Sequence, residues 1–241
     1  MTKELEIKNL NVSIDREHLL KNISLTINSN EIVGILGESG SGKTLTTKFI
    51  LGILPERSEI KYDSFYNNTK TGAIFQNAFI LLNPTIKIGK QLRHLYISHY
   101  NTDKGFKEMI TNLFYKVGLS DVDKFLSKYP FETSGGERQR IAIAGALIGK
   151  PKILIADEIT TALDFESKSE VIELLKDIKG TTGSIIFISH EVSTMKNFVD
   201  RIYVMYKGEI IEENTTKNIF DNPQHEYTKR IVELEEKYYK E

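Results

Sequence analysis

A glycine-rich stretch near the amino end of the chain has the residue types that bind phosphate groups. GESGSGKT, residues 37–44, fits the spacing G-x-x-x-x-G-K-[ST]. Phosphate oxygens only accept hydrogen bonds, so a tight turn that points backbone N–H groups inward can cradle them. Lys43 can add a mobile positive charge for the outer phosphates, and the Thr44 hydroxyl can join a Mg²⁺ shell. The predicted nucleotide contacts in this loop are Gly37, Glu38, Ser39, Gly40, Ser41, Gly42, Lys43 and Thr44.

Two adjacent acids supply a second chemical feature. KILIADE, residues 152–158, has the pattern of an apolar strand that ends in carboxylates. At such a position Asp157 can hold Mg²⁺ through water, and Glu158 can polarise an attacking water as a general base. Alone, the pair would leave open that two acids merely end a strand. With the phosphate loop upstream, we expect Asp157 to bind the metal and Glu158 to act in catalysis.

The segments that flank the loop predict a strand before it and a helix after it. Residues 5–36 contain alternating apolar segments, which favour antiparallel strands. Residues 32–36 are apolar throughout, as is typical of a strand buried on both faces. Residues 44–54 place apolar side chains at helical spacing, with Pro55 at the expected end. A chance glycine-rich turn is therefore a poor explanation of the loop.

Helices and strands alternate in the rest of the chain, which predicts an α/β fold with a parallel sheet. Amphipathic stretches between residues 85 and 130 predict a helical lobe. The later predicted elements are a helix over 137–149, a strand over 152–158, a helix over 168–179, a strand over 184–189 and a terminal hairpin centred on Lys207–Gly208.

The bulk composition excludes several classes of protein. The 241 residues suit one domain with a subsidiary lobe, and 40% hydrophobic with 27% charged residues is a globular balance. A net charge of −1 gives no footprint of a nucleic-acid binder. The absence of cysteine excludes disulfides and thiolate metal sites. The charged amino end predicts no signal peptide, and no apolar run approaches the ~20 residues of a membrane span.

Four further stretches resemble motifs of the ABC ATPase family, in that family's order. TSGGERQR, residues 133–140, resembles the family's signature, and Gln76 in AIFQN resembles its Q-loop glutamine. Asp164 at the end of TTALD resembles its D-loop, and His190 in FISHE resembles its switch histidine. SGG alone is ordinary turn composition, and a lone histidine after a strand is more often structural. The ordered set covers nearly the whole chain and is hard to obtain by chance.

The resemblance implies a fold, ligands and roles for individual residues. The implied fold is a single α/β domain with a P-loop NTPase core, a parallel sheet and an antiparallel β lobe in residues 1–84 and 131–241, and a helical signature lobe in residues 85–130. The implied ligands are ATP and Mg²⁺, with the metal shared by Thr44, Gln76 and Asp157. The implied catalytic residues are Glu158, His190 and Gln76. The implied nucleotide contacts outside the loop are Ser134, Gly135, Gly136, Glu137, Asp164 and Ile14.

The signature also implies partners. Residues 134–136 precede a predicted helix, so their amides form an anion-binding helix start. Because residues 37–44 already cradle one set of phosphates, the resemblance implies that this start caps ATP held by a second ABC ATPase subunit, identical or paralogous, in a head-to-tail dimer. Closing and reopening of that dimer would drive transmembrane permease subunits from the cytoplasmic face of the membrane. An extracytoplasmic binding protein would deliver the cargo, and no nucleic-acid partner is expected.

Two stretches narrow the subfamily to the oligopeptide, dipeptide and nickel importer ATPases. They are FQNAFILLNP, residues 75–84, and NPQHEYTKRI, residues 222–231. Taken alone, the second would be only a helix start with Pro223 near its first position. The implied cargo is a peptide, or nickel or another metal on a small chelator. His94 and His99 lie five apart in a predicted helix, do not face each other, and are not expected to bind metal.

The sequence also departs from the family. No aromatic residue precedes position 49, so the adenine-stacking position falls near Ile14 and predicts weakened base selectivity. Glu137 replaces the usual signature glutamine, and a carboxylate there is electrostatically awkward near phosphates. The short stretch between Thr44 and Gln76 predicts a trimmed antiparallel lobe. An exporter subunit, a soluble non-transport ABC protein and a nucleotide-binding module without turnover stay as alternatives.

Overall fold

The computed structural model describes residues 2–75, 82–161 and 163–238. The chain forms two compact units, Met1–Thr69 with Gly183–Glu241, and Lys70–Thr182. The predicted helical lobe, residues 85–130, lies within the second unit, and the predicted domain boundaries stay a prediction. Among the described residues, no helix combines the length and the apolar character that crossing a membrane needs.

In the residues that the structure describes, the first unit contains two sets of strands and four helices. Its strands are β1 Lys3–Ile14, β2 Glu17–Asn28, β3 Ile32–Leu36, β4 Ser58–Lys61, β5 Ser64–Asn67, β8 Ser184–Ser189, β9 Arg201–Tyr206 and β10 Glu209–Thr215. Its helices are α1 Lys43–Ile50, α7 Val192–Lys196, α8 Thr216–Asp221 and α9 Glu226–Tyr238.

The long strand β1 organises the predicted antiparallel sheet, pairing with β2 along its length and with β4 and β5 on its other side. Alternation buries Leu5 and Ile7, and then Leu10 and Val12. The phase changes between Ile7 and Leu10, where Asn9 has φ 53° and the register shifts. Such a bulge lets two apolar residues three positions apart face the same core.

Strand β3 pairs in parallel with β8 on one side and with β9 on the other. Every residue of β3 is buried, as its uninterrupted apolar sequence predicted. Strand β9 continues through Lys207–Gly208 into the antiparallel β10, which confirms the predicted terminal hairpin. Parallel strands in β–α order confirm the predicted α/β class.

Helix α1 follows the phosphate loop as predicted but ends at Ile50 rather than next to Pro55, so the predicted end was wrong. The N–H of Gly52 bonds to the Phe49 carbonyl, and the N–H of Ile53 bonds to the Lys48 carbonyl. Gly52 has φ +69°, the left-handed conformation that commonly closes a helix. The glycine therefore stops the helix before the proline does.

The described part of the second unit contains one parallel strand pair and a set of helices. The strands are β6 Thr71–Ile74 and β7 Ile153–Asp157. The helices are α2 Ile88–Tyr100, α3 Phe106–Lys116, α4 Val122–Ser127, α5 Gly135–Leu147 and α6 Phe165–Thr182, with a 3₁₀ turn at Pro130–Glu132. The predicted helices and the predicted strand ending in acids are confirmed. His94 and His99 are exposed on α2, and the described residues include no cluster of three groups able to hold a metal ion.

Candidate nucleotide-binding site

The loop of residues 37–42 leads from the buried strand β3 into helix α1. Gly42 caps the helix with φ +105°, and a Cβ there would lie 2.6 Å from Leu20 Cδ2, so a side chain would be strained on both counts. Gly40 also has a positive φ, +79°, but a Cβ there would meet nothing within 4 Å. The loop is packed against protein at Gly42 and open at Gly40, which fits a cradle that a ligand fills.

The polar groups of the loop match the predicted chemistry. Lys43 is buried, and its ammonium donates to the carbonyl oxygens of Gly37 at 2.7 Å and Glu38 at 2.9 Å. Ser41 is also buried, and its hydroxyl has no hydrogen-bond partner within the described chain. Thr44 is exposed at the first turn of α1. A buried ammonium and an unsatisfied buried hydroxyl suit phosphate oxygens, and an exposed hydroxyl suits a metal shell.

The turn of the terminal hairpin is hydrogen-bonded to this loop. The N–H of Gly208 donates to the Ser41 carbonyl at 3.1 Å, and the Gly208 carbonyl accepts from the N–H of Lys21 at 2.8 Å. The hairpin turn thus links the loop to strand β2. We predicted the hairpin from its pattern, but only the three-dimensional contacts identify Gly208 as a support of the loop.

Ile14, the predicted adenine contact, ends strand β1 and is half-buried. It pairs with Glu17 across the Asp15–Arg16 turn and with Ser58 of β4. Ile14 is therefore only partly accessible, and its contact with adenine stays a prediction.

The two acids lie in the second unit, at the carboxyl end of β7. Asp157 is 3% exposed, whereas Glu158 is half-buried. Glu158 has φ +51°, and its carbonyl accepts a hydrogen bond from the Thr161 hydroxyl at 2.8 Å. A non-glycine residue in this region costs about 1–3 kcal/mol and is concentrated at functional sites. No sequence pattern indicated this strained backbone at the predicted general base.

The signature residues form a capping box at the start of α5. The Glu137 carboxylate accepts from the Ser134 N–H at 2.8 Å, and the Ser134 hydroxyl accepts from the Glu137 N–H at 3.1 Å. We predicted Glu137 to be electrostatically awkward, but it satisfies a helix end that would otherwise be unpaired. The spacing S-x-x-E was visible in the sequence and would have identified this role.

The two glycines after Ser134 leave this helix start open. A Cβ on Gly135 would meet nothing within 4 Å, and one on Gly136 would reach only Ser167 Oγ at 3.7 Å. Ser134 itself is exposed, and its hydroxyl keeps a proton to donate although its oxygen caps the helix. The geometry accommodates an anion at this helix start.

Asp164 is exposed, and its side chain caps a helix. Its carboxylate accepts from the N–H of Ser167 at 2.9 Å and from the Ser167 hydroxyl at 2.8 Å, at the first turn of α6. These hydrogen bonds, first that of the N–H, hold the pKa of Asp164 below its ordinary value. A contact with nucleotide stays a prediction for this residue.

His190 directly follows strand β8, as its sequence pattern predicted, and it is exposed. The next residue, Glu191, donates its N–H to the Ser189 hydroxyl at 3.0 Å, which fixes the turn after the strand. Gln76, the predicted Q-loop glutamine, lies outside the described residues. The roles of both side chains stay predictions.

Comparison with known proteins gives one consistent result. Residues 20–161 match the ABC transporter family. The chain is 36% identical to the oligopeptide transport ATP-binding protein OppD of Bacillus subtilis, over 95% of this chain and 70% of the relative. The dipeptide transport ATP-binding protein DppD of the same organism is 36% identical over 96% and 76%. The structure of cbiO1 from Clostridium perfringens, part of the ABC transporter complex cbiONQ, is similar with a TM-score of 0.78 at 25% identity, covering 99% of this chain and 98% of cbiO1.

Proposed function

The chain belongs to the ABC transporter family, as its motifs predicted, and from that premise we propose that it is the ATP-hydrolysing subunit of a peptide importer. The observation that carries the proposal is the phosphate loop, where the buried Lys43 ammonium lies against the carbonyls of Gly37 and Glu38. Open space at Gly40 and the unsatisfied hydroxyl of Ser41 support binding of a phosphate chain in the same loop.

Within this proposal, Lys43 and the loop amides hold the triphosphate, and Thr44 and Asp157 hold Mg²⁺, with Gln76 as the third predicted metal contact. The bound metal supplies positive charge that stabilises the phosphoryl group during transfer. Glu158 accepts a proton from the attacking water as general base, and His190 orients that water. The positive φ of Glu158 supports this role, because strained backbone conformations are concentrated at functional sites.

The proposed working unit is a head-to-tail pair of ATPase subunits. The capping box fixes the start of α5 while the Ser134 hydroxyl can still donate, and Gly135 leaves room for an anion. This supports the proposal that residues 134–137 cap the nucleotide of a second subunit, with Asp164 nearby. The pair is proposed to drive permease subunits at the cytoplasmic face of the membrane, which an extracytoplasmic binding protein supplies with cargo.

Peptide is the proposed cargo because the relatives OppD and DppD are named for oligopeptide and dipeptide transport. Their names favour peptides over the metal chelates that the motifs also allowed. Of the two stretches that suggested this subfamily, residues 75–84 include the proposed metal contact Gln76, whereas residues 222–231 have no role in the proposed ATP chemistry.

The experiment is turnover and binding of ATP by the assembled transporter with Glu158→Gln. We expect hydrolysis to fall by about 10²–10⁴-fold while ATP still binds, because only the general base is lost. Glu166→Gln, a change at an exposed glutamate nearby in the chain, is the control and should leave turnover unchanged. Wild-type turnover in the Glu158 variant would contradict the proposed role.

A further inference from the structure

The stretch NPQHEYTK, which the ATPase chemistry leaves without a role, contacts the phosphate loop directly. Tyr227 lies in the first turn of α9 (Glu226–Tyr238), and its hydroxyl oxygen accepts a hydrogen bond from the backbone N–H of Glu38 at 3.1 Å. Glu38 is the second residue of the loop and is itself exposed. This bond links a helix at the carboxyl end of the chain to the phosphate cradle, 189 residues away in sequence.

A stacked neighbour aims this hydroxyl at the loop. The rings of Tyr227 and Tyr206 lie 4.3 Å apart with an interplanar angle of 28°, and the Lys207 ammonium lies 5.0 Å from the centre of the Tyr206 ring. Tyr206 ends strand β9, immediately before the turn whose Gly208 N–H bonds to Ser41 of the loop. The ring of Tyr227 is therefore packed against the same hairpin that is hydrogen-bonded to the loop. Burial raises the pKa of Tyr227, while the hydrogen bond from the Glu38 N–H partly opposes this shift.

The segment before Tyr227 is anchored independently of the loop. The Glu212 carboxylate of β10 accepts from the N–H of Gln224 at 2.9 Å and from the N–H of His225 at 3.0 Å. The His225 Nδ1 atom accepts from the Tyr227 N–H at 3.0 Å, and Thr228 is fully buried. Each of these contacts fixes the helix start, so the position of Tyr227 does not depend on its bond to Glu38.

The contacted part of the loop is also bound by Lys43. Lys43, whose charge reaches the outer phosphates in loops of this type, donates to the carbonyls of Gly37 and Glu38. The Glu38 peptide is thus held on one side by Lys43 and on the other by Tyr227. A loop fixed before the ligand arrives loses less conformational freedom on binding and so binds more tightly.

We propose that Tyr227 is a positioning residue that holds the phosphate loop in its binding conformation through the Glu38 N–H, and that the NPQHEYTK stretch serves as the anchor for it. This inference rests on the proposed function, because it assigns Tyr227 to nucleotide binding in the loop of residues 37–44. It gives the carboxyl-terminal helix a direct influence on nucleotide affinity.

The test is Tyr227→Phe in the full chain, which removes the hydroxyl and keeps the ring on Tyr206. A non-hydrolysable ATP analogue is titrated, and hydrogen exchange of the Glu38 amide is measured without nucleotide. We expect the Kd to rise about three- to tenfold, the range for losing one neutral hydrogen bond, with faster exchange at Glu38 and a fall in Tm of no more than a few degrees. In the assembled transporter, KM for ATP should rise while kcat changes less. Tyr115→Phe, the same change at an exposed tyrosine of α3, is the control.

A second variant tests the same role through a different residue, so that the result does not depend on one substitution. Tyr206→Leu removes the ring that aims the hydroxyl, and it should weaken binding in the same direction and expose the Glu38 amide. This inference alone would be overturned if the wild type bound the analogue and Tyr227→Phe matched it in both affinity and Glu38 amide exchange. A wild-type chain that does not bind the analogue would overturn the proposed function and this inference with it.

Discussion

Replacing Glu137 with alanine should destabilise the protein, because it removes one half of the capping box at the start of α5. The Ser134 N–H then loses its acceptor, which costs about 0.5–1.5 kcal/mol. A negative charge in the first helical turn also disappears, which costs about 0.3–1 kcal/mol. The two losses together are about 0.8–2.5 kcal/mol, and each kcal/mol lowers the Tm of a chain of this size by about 2–4 °C.

The assay is urea or thermal unfolding of the wild type and three variants. Glu137→Gln keeps an acceptor oxygen and should lose only the charge part, about 0.3–1 kcal/mol. Glu108→Ala is the matched control, because Glu108 occupies the same position of α3 after Gly105, a cap residue without a side chain. It should lose only the charge part as well. If Glu137→Ala and Glu108→Ala lost equal stability, the capping box would contribute nothing and the structural reading of Glu137 would be refuted.

Three further predictions concern the phosphate loop, the anchoring residue Glu212 and selectivity for the base of the nucleotide. Gly42→Ala should cost at least about 1–2 kcal/mol in urea unfolding from the left-handed backbone and the close Leu20 contact, more than Gly40→Ala, which meets open space; equal losses would contradict the packing at Gly42. Burial alone would raise the pKa of Glu212, but the hydrogen bonds from the N–H groups of Gln224 and His225 help to lower it below its ordinary value of 4.5. The stabilisation from Glu212 is therefore present above pH 4.5 and is lost as pH falls through the lowered pKa. In Glu212→Gln, the urea midpoint should depend less on pH over that range. A pH dependence equal to that of the wild type would count against the anchoring role of Glu212. With Ile14 in place of an aromatic, the assembled transporter should hydrolyse GTP and ATP at comparable rates, and strict ATP preference would argue against this.

Local motifs were readable from the sequence because their chemistry depends on neighbours in the chain. The phosphate loop, the strand ending at Asp157 and the signature before α5 all lie in the elements that their patterns predicted. The end of α1 was misplaced because Pro55 was read as the stop, although Gly52 takes the left-handed conformation first. The capping role of Glu137 was missed because the residue was compared with the family's glutamine rather than with the S-x-x-E spacing.

Two features could not be read from a single sequence. The contact between Tyr227 and Glu38 depends on how the carboxyl-terminal helix packs, and no periodicity encodes a pairing across 189 residues. The positive φ of Glu158 arises from the turn after β7, where the Thr161 hydroxyl bonds back to its carbonyl, and glutamate has no propensity for that conformation. The first follows from tertiary packing, and the second accompanies a local hydrogen bond within the turn.

ATP turnover of the assembled transporter with Lys43→Ala tests most directly whether the loop of residues 37–44 holds the triphosphate. Loss of hydrogen bonds from a charged group, about 1.5–3 kcal/mol, corresponds to a fall in kcat/KM of about 10- to 150-fold. Lys48→Ala, in the last turn of the same helix, removes the same charge away from the loop and should change turnover little. We predict this fall of about 10- to 150-fold with Lys43→Ala alone; wild-type turnover in that variant would contradict the account.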